Sequence, residues 1–356
     1  MLPETLERVR PVCPACRGQA DGPGGTAALA REESAHTEVP SGEIMQGTLR
    51  CTSARCGERY PIIDGVAILV PEPVRYLEAH RHEVCDRRDL YPLVQDFIDR
   101  GYSFSDQVLA WRRYLSQYAT AHYAPGKHAA MDDLVAATLE AAGAGVGEGG
   151  GGGTAAGAGS EGGGRLVLDL GCATGRWTLV AARRADFALG MDLDFAMVRA
   201  AREVRAAGSS RYARWEGGRR FGRGDIEAPA LRGARADFVV ADALCPPVAP
   251  GAADVLLALN LTDNVPAPEE LLAQMGALLR PGGRFLHSTP YHWNSAVTPP
   301  EKQLDPGRLR AALASAGLVV AGEARAVSWW LPAAPGEGGA ELTVEVLSGL
   351  RAPDGG

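Results

Sequence analysis

The chain has 356 residues, 46% of them hydrophobic and 22% charged, with a formal charge of −7 and a pI near 5.6. These values fit a soluble globular protein of about two domains and argue against a general nucleic-acid binder, whose footprint is basic. No apolar run is long enough to cross a membrane, and the opening residues (MLPETLERVRPVCP) lack the apolar stretch of a secretory signal, so a cytoplasmic protein with no membrane partner is expected.

Residues 1–73 carry two cysteine pairs, Cys13-x-x-Cys16 and Cys51-x4-Cys56, and end in the apolar run 60–71. Seven cysteines without a secretion signal favour metal binding over a disulfide framework. Four thiolates make a closed tetrahedral Zn²⁺ site that folds a module and has no open position for catalysis; the alternative is an ordinary thiol cluster. The Gly/Ala-rich stretch 18–42 reads as an inserted loop and His36 as solvated, while Cys85 and Cys245 read as inert buried thiols. Residues 74–142 read as a helical connecting segment that helps cover a cofactor, with Leu93, Val94, Phe97 and Ile98, then Val108, Leu109, Trp111 and Leu115, at helical spacing. The Gly/Ala tract 143–164 reads as a linker.

From Arg165 to residue 350, short apolar runs alternate with helical stretches. Strands are expected at 166–170, 188–192, 237–242, 254–260, 284–290, 318–327 and 341–348, and helices at 178–185, 195–207, 268–280 and 306–316. Such alternation means an α/β fold with a doubly wound, mostly parallel seven-stranded sheet, and two final strands without a helix between them predict an antiparallel edge.

The strongest chemical signal is Asp169-Leu170-Gly171-Cys172-Ala173-Thr174-Gly175. A buried strand there ends in a glycine turn that feeds a helix, and glycine lets a ligand approach the backbone closely. The spacing is G-x-x-x-G, not the dinucleotide pattern. Asp192 ends the next strand, where a carboxylate can accept from ribose hydroxyls, and Asp242 ends the third. Together with L-R-P-G-G-R-F at 279–285, these motifs make the segment resemble the class I S-adenosylmethionine-dependent methyltransferases. The resemblance implies that Gly171 and Gly175 shape the loop around the methionine part of S-adenosyl-L-methionine, with Asp169 beside its amino group. Asp192 would hold the ribose and Asp242 would face the adenine, with Cys172 and Asn260 completing the cofactor set. Cys172 is read as structural rather than nucleophilic. A doubly wound domain for another nucleotide is the alternative.

With C-G-E-R-Y-P-I-I-D-G-V-A-I-L-V-P at 56–71, the N-terminal segment resembles the small zinc-ribbon activator of tRNA and protein methyltransferases, and ribbons fused to bacterial methyltransferases. That resemblance places Zn²⁺ on Cys13, Cys16, Cys51 and Cys56.

The acceptor is expected above the ends of the fourth and fifth strands, at Asn260-Leu261-Thr262-Asp263-Asn264 and Tyr291-His292-Trp293-Asn294. The string A-L-N-L-T-D-N-V with S-T-P-Y-H-W is similar to the methyltransferase domain of ovothiol biosynthesis, which methylates a mercaptohistidine ring nitrogen. A small, planar, nitrogen-containing acceptor is expected, because the net charge is −7 and the aromatic cluster Tyr291, His292 and Trp293 falls at the crevice. Tyr291 and Trp293 would be its walls, Asn260 and Asp263 would orient it, and His292 would be the candidate base; the alternative is that these are loop polars. A competing expectation is an RNA acceptor, because residues 199–235 hold ten arginines against four acids, with Tyr212, Trp215 and Phe221 interleaved. A solvated insertion would explain that segment equally. A third possibility, of another class, is a scaffold that binds the cofactor or a partner without transferring methyl.

Overall fold

The computed structural model describes residues 1–17, 27–32, 37–87, 90, 94, 105–144, 164–332 and 339–353. The expected helical positions Leu93, Phe97 and Ile98, His36, and most of the Gly/Ala tract lie outside the described residues.

The N-terminal strands are β1 (Leu29–Arg31), β2 (Thr37–Glu38), β3 (Ile44–Cys51), β4 (Arg59–Ile63) and β5 (Val66–Leu69). Asp64 and Gly65, both at positive φ (51° and 78°), form the two-residue turn between β4 and β5, the hairpin geometry for which Asp-Gly is favoured. Part of the stretch expected to be an inserted loop returns to the ribbon: β1 pairs antiparallel with β3, Leu29 opposite Cys51.

Helix α1 (Pro73–Ala79) leads to α2 (Asp106–Tyr123) and α3 (Ala129–Ala144). The α/β unit follows as β6 (Leu166–Leu170), α4 (Arg176–Ala182), β7 (Phe187–Asp192) and α5 (Phe195–Ala207). A hairpin of β8 (Ser209–Trp215) and β9 (Phe221–Glu227) precedes β10 (Ala236–Ala241) and β11 (Ala253–Leu259). The chain closes with α6 (Pro268–Leu278), β12 (Leu279–Thr289), α7 (Pro306–Ser315), β13 (Leu318–Val320), β14 (Arg325–Pro332) and β15 (Gly339–Arg351). The strand expected at 318–327 is in fact two, β13 and β14, each pairing antiparallel with the long β15.

The sheet order is β10-β7-β6-β11-β12-β15-β13, parallel from β10 to β12 and antiparallel beyond. The seven expected strands are there, but the sheet does not stop at β10. Strand β5 pairs parallel with β10, placing Ala67, Ile68 and Leu69 opposite Val239, Val240 and Ala241. The ribbon therefore extends the main sheet, and its Leu49, Tyr60 and Ile62 share one apolar core with Leu168, Met191 and Leu271. No described helix is long and apolar enough to cross a membrane.

The arginines of α5 seal this junction. Arg199, Arg202 and Arg205 are three residues apart, hence on one helical face, and all are buried. Arg202 and Arg205 donate to Glu43 at 2.9 and 2.7 Å, and Arg199 lies 3.5 Å from Asp64. These two guanidinium groups hold the Glu43 carboxyl below its usual range in spite of burial. Arginines counted by composition toward an RNA surface are thus internal. Along β8 and β9, Arg211 and Arg223 face Asp225, Arg214 faces Glu216, and Arg219 reaches Asp106 at the start of α2.

Removing one partner from a buried ion pair leaves charge uncompensated. Glu43→Gln should therefore destabilise the protein by about 3–5 kcal/mol in urea unfolding, whereas Arg214→Gln, at an exposed pair, should change it by less than about 1 kcal/mol.

Candidate active site

The turn after β6 is built from backbone. The N–H groups of Gly171 and Cys172 both donate to the Met191 carbonyl at 2.8 and 3.0 Å, which ties the glycine loop to the end of β7. Gly171 and Gly175 have φ of 73° and 78°. Each is also crowded: a Cβ on Gly175 would lie 2.6 Å from Ala201 Cβ, and one on Gly171 would lie 2.8 Å from Leu261 Cδ1. The second contact brings the loop after β11 against the glycine loop.

Asp192 is half-buried, and its carboxylate accepts from the backbone N–H groups of Ala173 (2.9 Å) and Asp194 (3.0 Å). It therefore braces the glycine loop itself, and burial raises its pKa. Asp169 is 2% exposed; the Thr178 hydroxyl donates to it at 2.5 Å, and burial pushes its carboxyl up to about 7. Cys172 is buried, with its thiol pushed well above the usual range by burial, which suits a structural residue. Asp242 stands two residues beyond Val240, the β10 partner of Asp192, and accepts from the Leu244 N–H at 2.8 Å.

Across the crevice, Asn260 adopts a left-handed φ of 54° at the end of β11. Its Oδ1 accepts from the Ser288 hydroxyl at 2.8 Å, while its Nδ2 is buried with no partner. Asp263 is 2% exposed, its Oδ1 has no partner, and burial pushes it up to about 7 although the backbone N–H of His292 faces it. The adjacent Thr262 is held by the buried His287, with Oγ1 and Nε2 2.6 Å apart.

Beyond β12, Tyr291 and Trp293 are partly buried and pack against the same apolar cluster as Leu261, and the Tyr291 hydroxyl donates to Glu345, which Arg310 also binds. The His292 side chain is exposed. Aromatic side chains also gather over the glycine loop from α2, within the segment 74–142 expected to help cover a cofactor, although Tyr118 and His122 are not among the residues named for it. Helix α2 lies over the glycine loop: His122 Nδ1 is 3.0 Å from Thr174 Oγ1, and the Tyr123 hydroxyl donates to the Thr174 carbonyl at 2.7 Å. His122 is boxed by Trp177, Tyr118 and Trp329 with ring centroids 4.6, 5.7 and 5.9 Å away, and burial lowers its pKa to about 3, so it is neutral. The β8–β9 hairpin holds α2 in place through Tyr212 on Thr120 (3.0 Å) and the Trp215 N–H on Ser116 (2.9 Å). The four-residue spacing of Tyr114, Tyr118 and His122 is a signal in the sequence that could have found this face.

In the ribbon, Cys13 and Cys56 have sulfurs 3.8 Å apart, Cys16 and Cys51 3.7 Å, and all four lie within 4.8 Å of one another. Metal–sulfur bonds of about 2.3 Å in a tetrahedron put sulfurs about 3.8 Å apart, so the four thiols fit a metal such as zinc.

A family model described as "Methyltransferase domain" matches residues 131–338, more than half of the chain. No curated protein matches the chain significantly. Among solved structures, one from the complex between the Haloferax volcanii Trm112 methyltransferase activator and a methyltransferase is 20% identical, over 68% of this chain and 99% of that one, with a TM-score of 0.39. An O-methyltransferase family protein from Burkholderia thailandensis is 16% identical over 71% of this chain and 62% of that one (TM-score 0.41). A SAM-dependent methyltransferase from Methanosarcina mazei is 15% identical over 53% and 93% (TM-score 0.39).

The raised carboxyls fix the sign of a pH effect. A carboxyl whose folded pKa stands at about 7, above its ordinary 3.8, favours the fold at acid pH, and that contribution is lost as pH rises through 7. Asp263→Asn should therefore stabilise the unliganded protein in urea unfolding by about 2–4 kcal/mol at pH 8 and by little at pH 4.

Proposed function

Because the chain belongs to the methyltransferase-domain family and is an S-adenosylmethionine-dependent methyltransferase of class I fold, we propose that its acceptor is a small, planar, nitrogen-containing molecule bound between α2 and the end of β11. The observation that carries this reading is the pair of buried, partnerless polar atoms, Asn260 Nδ2 and Asp263 Oδ1, on either side of Leu261, the residue that packs against Gly171 of the glycine loop. A buried donor and a buried acceptor without partners each cost about 1–3 kcal/mol, which a ligand carrying complementary groups relieves.

S-adenosylmethionine, when bound, supplies an electrophilic methyl on a sulfonium. The residues then have separate tasks. Gly171 and Gly175 let the loop close on the methionine part, and Asp192 accepts from the ribose hydroxyls. Asp242 faces the adenine, and Asp169 lies beside the amino group. Asp263 orients the acceptor and, with its carboxyl poised near neutrality, takes the proton that an N–H nucleophile releases. His292, solvent-exposed, remains the second candidate base. Most of the rate enhancement arises from alignment, an effect that reaches about 7–11 kcal/mol.

The burial of Arg199, Arg202 and Arg205 in ion pairs with Glu43 and Asp64 supports a small acceptor over RNA, since it takes three of the ten arginines away from phosphate. We also propose that the ribbon thiols hold one structural zinc, on the strength of their tetrahedral spacing.

Two measurements test these assignments. Asp192→Ala should weaken binding of S-adenosylhomocysteine by about 1–3 kcal/mol in calorimetry, and unchanged affinity would remove Asp192 from the site. Metal analysis should find about one zinc per chain, with most of it lost when Cys13 and Cys16 are both changed to serine.

A further inference from the structure

The knuckle that carries the first cysteine pair lies against the segment that follows β10, and hydrogen bonds join the two. The Val12 N–H donates to the Pro247 carbonyl at 3.0 Å, and the Cys245 thiol donates at 3.6 Å to the carbonyl of Pro14, which stands between Cys13 and Cys16. The half-buried Arg17 donates through one nitrogen to the Val248 carbonyl and through the other to Gln274 Oε1 on α6, at 2.9 Å. A planar guanidinium held at two points has a fixed direction. Tyr60 ties the knuckle to β4: its hydroxyl lies 2.9 Å from Cys13 Sγ and accepts from the Ala15 N–H at 3.2 Å. The segment on the other side, 242–252, has no strand or helix of its own between β10 and β11. At its start, Asp242 accepts from the Leu244 N–H through its side chain and from the Cys245 N–H through its carbonyl, which closes a turn on the carboxylate. Further along, Val248 is fully buried in the apolar cluster that contains Cys13, Cys51 and Tyr60. The short irregular run from Asp242 to Val248 thus takes its position from groups that the ribbon supplies.

We propose that Arg17 is a positioning residue for the cofactor crevice: with the first cysteine knuckle it holds the 242–248 loop, so that the order of the four-thiol site is transmitted to the Asp242 carboxylate. The inference rests on the assignment of Asp242 to the adenine and goes beyond it, because it gives the ribbon a part in cofactor recognition. A metal on the four thiols fixes Cys13 and Cys16 against Cys51 and Cys56, and with them the Pro14 carbonyl and the origin of the Arg17 side chain. Without it the knuckle is released, and the loop that leans on it shifts. A carboxylate accepts from an amine only over a narrow range of distance and angle, so a small shift removes discrimination at that amine. The glycine loop, tied to Met191 by its own hydrogen bonds, keeps its place and still holds the rest of the cofactor.

The test is calorimetry on the full chain with two probes: S-adenosylhomocysteine, and the analogue whose purine carries hydrogen in place of the adenine amine. The wild-type protein should prefer S-adenosylhomocysteine by about tenfold or more, and Asp242→Ala should lose most of that preference. Arg17→Ala should cut the preference by about threefold or more, with the weakening confined to S-adenosylhomocysteine, and Arg17→Lys, which keeps a donor, should restore part of it. Gln274→Leu frees one end of Arg17 without touching the ribbon and should move the preference the same way by a smaller factor. Stripping the metal with a chelator should reproduce the Arg17→Ala result, and added zinc should reverse it. An unchanged preference in both Arg17→Ala and Gln274→Leu overturns the proposal, and so does an equal weakening of both probes, which would make Arg17 a brace and nothing more. If Arg17→Ala does not fold, Arg17→Lys and Gln274→Leu decide the matter by the same criterion. A stripped protein that keeps the full preference overturns the transmission from the thiols. A wild-type chain without the preference, or one whose preference survives Asp242→Ala, would instead overturn the adenine assignment on which the proposal stands.

Discussion

The main-chain pairing of β5 with β10 is the constraint on which the rest of the structure depends. Strand β10 is buried along its whole length, and without a neighbour it would leave an apolar sheet edge with unpaired N–H and C=O groups, a template for aggregation. Val66–Leu69 fills that edge with a strand as apolar as β10 itself. One consequence is that the ribbon and the catalytic sheet share a core. Another is that β10, which carries Asp242 at its end, is held in register from both sides, by β7 and by β5.

Charge reinforces what the backbone pairing begins. Glu43 and Asp64 sit in the ribbon, and the arginines that meet them sit on α5, whose N-cap Asp194 follows Asp192 by two residues. The helix that starts just beyond Asp192, at the end of β7, is therefore anchored to the ribbon at several points along its length. Tyr76 adds a link by donating its hydroxyl to the Leu193 carbonyl at 2.6 Å. Such pairs are weak evidence of net stability, since desolvation offsets most of the attraction, but they restrict how the two parts can fit together.

Helix α2 illustrates the same division of labour in the apolar core it shares with α5. It covers the glycine loop through His122 and Tyr123, and two hairpins brace it. Strands β8 and β9 hold it through Ser116 and Thr120, while β14 brings Trp329 against Trp177 at 5.1 Å and Pro332 to Gln117. The Arg/aromatic hairpin, which composition alone presents as a surface for a polyanion, thereby serves as a buttress. Arg113 lies over the Trp215 ring at 4.9 Å and donates to the Gly218 carbonyl, so even its turn is engaged with the helix.

Much of this protein was legible in local pattern. The runs at 166–170 and 187–192, the glycines at 171 and 175, and Pro268 opening α6 each follow from burial, backbone freedom or capping, which neighbouring residues settle among themselves. The cysteine spacing likewise anticipated four thiols converging on one point. Three features were decided only by tertiary structure, and for one reason: each depends on what a side chain meets from a distant part of the chain. Arg199, Arg202 and Arg205 read as surface charge until Glu43 and Asp64 arrive from the ribbon. Tyr291 carries no local sign that its hydroxyl is taken by Glu345, on a strand more than fifty residues later. His122 carries no sequence signal beyond its spacing, because it acquires a place only when Thr174 of the glycine loop, Trp177 and Trp329 close around it.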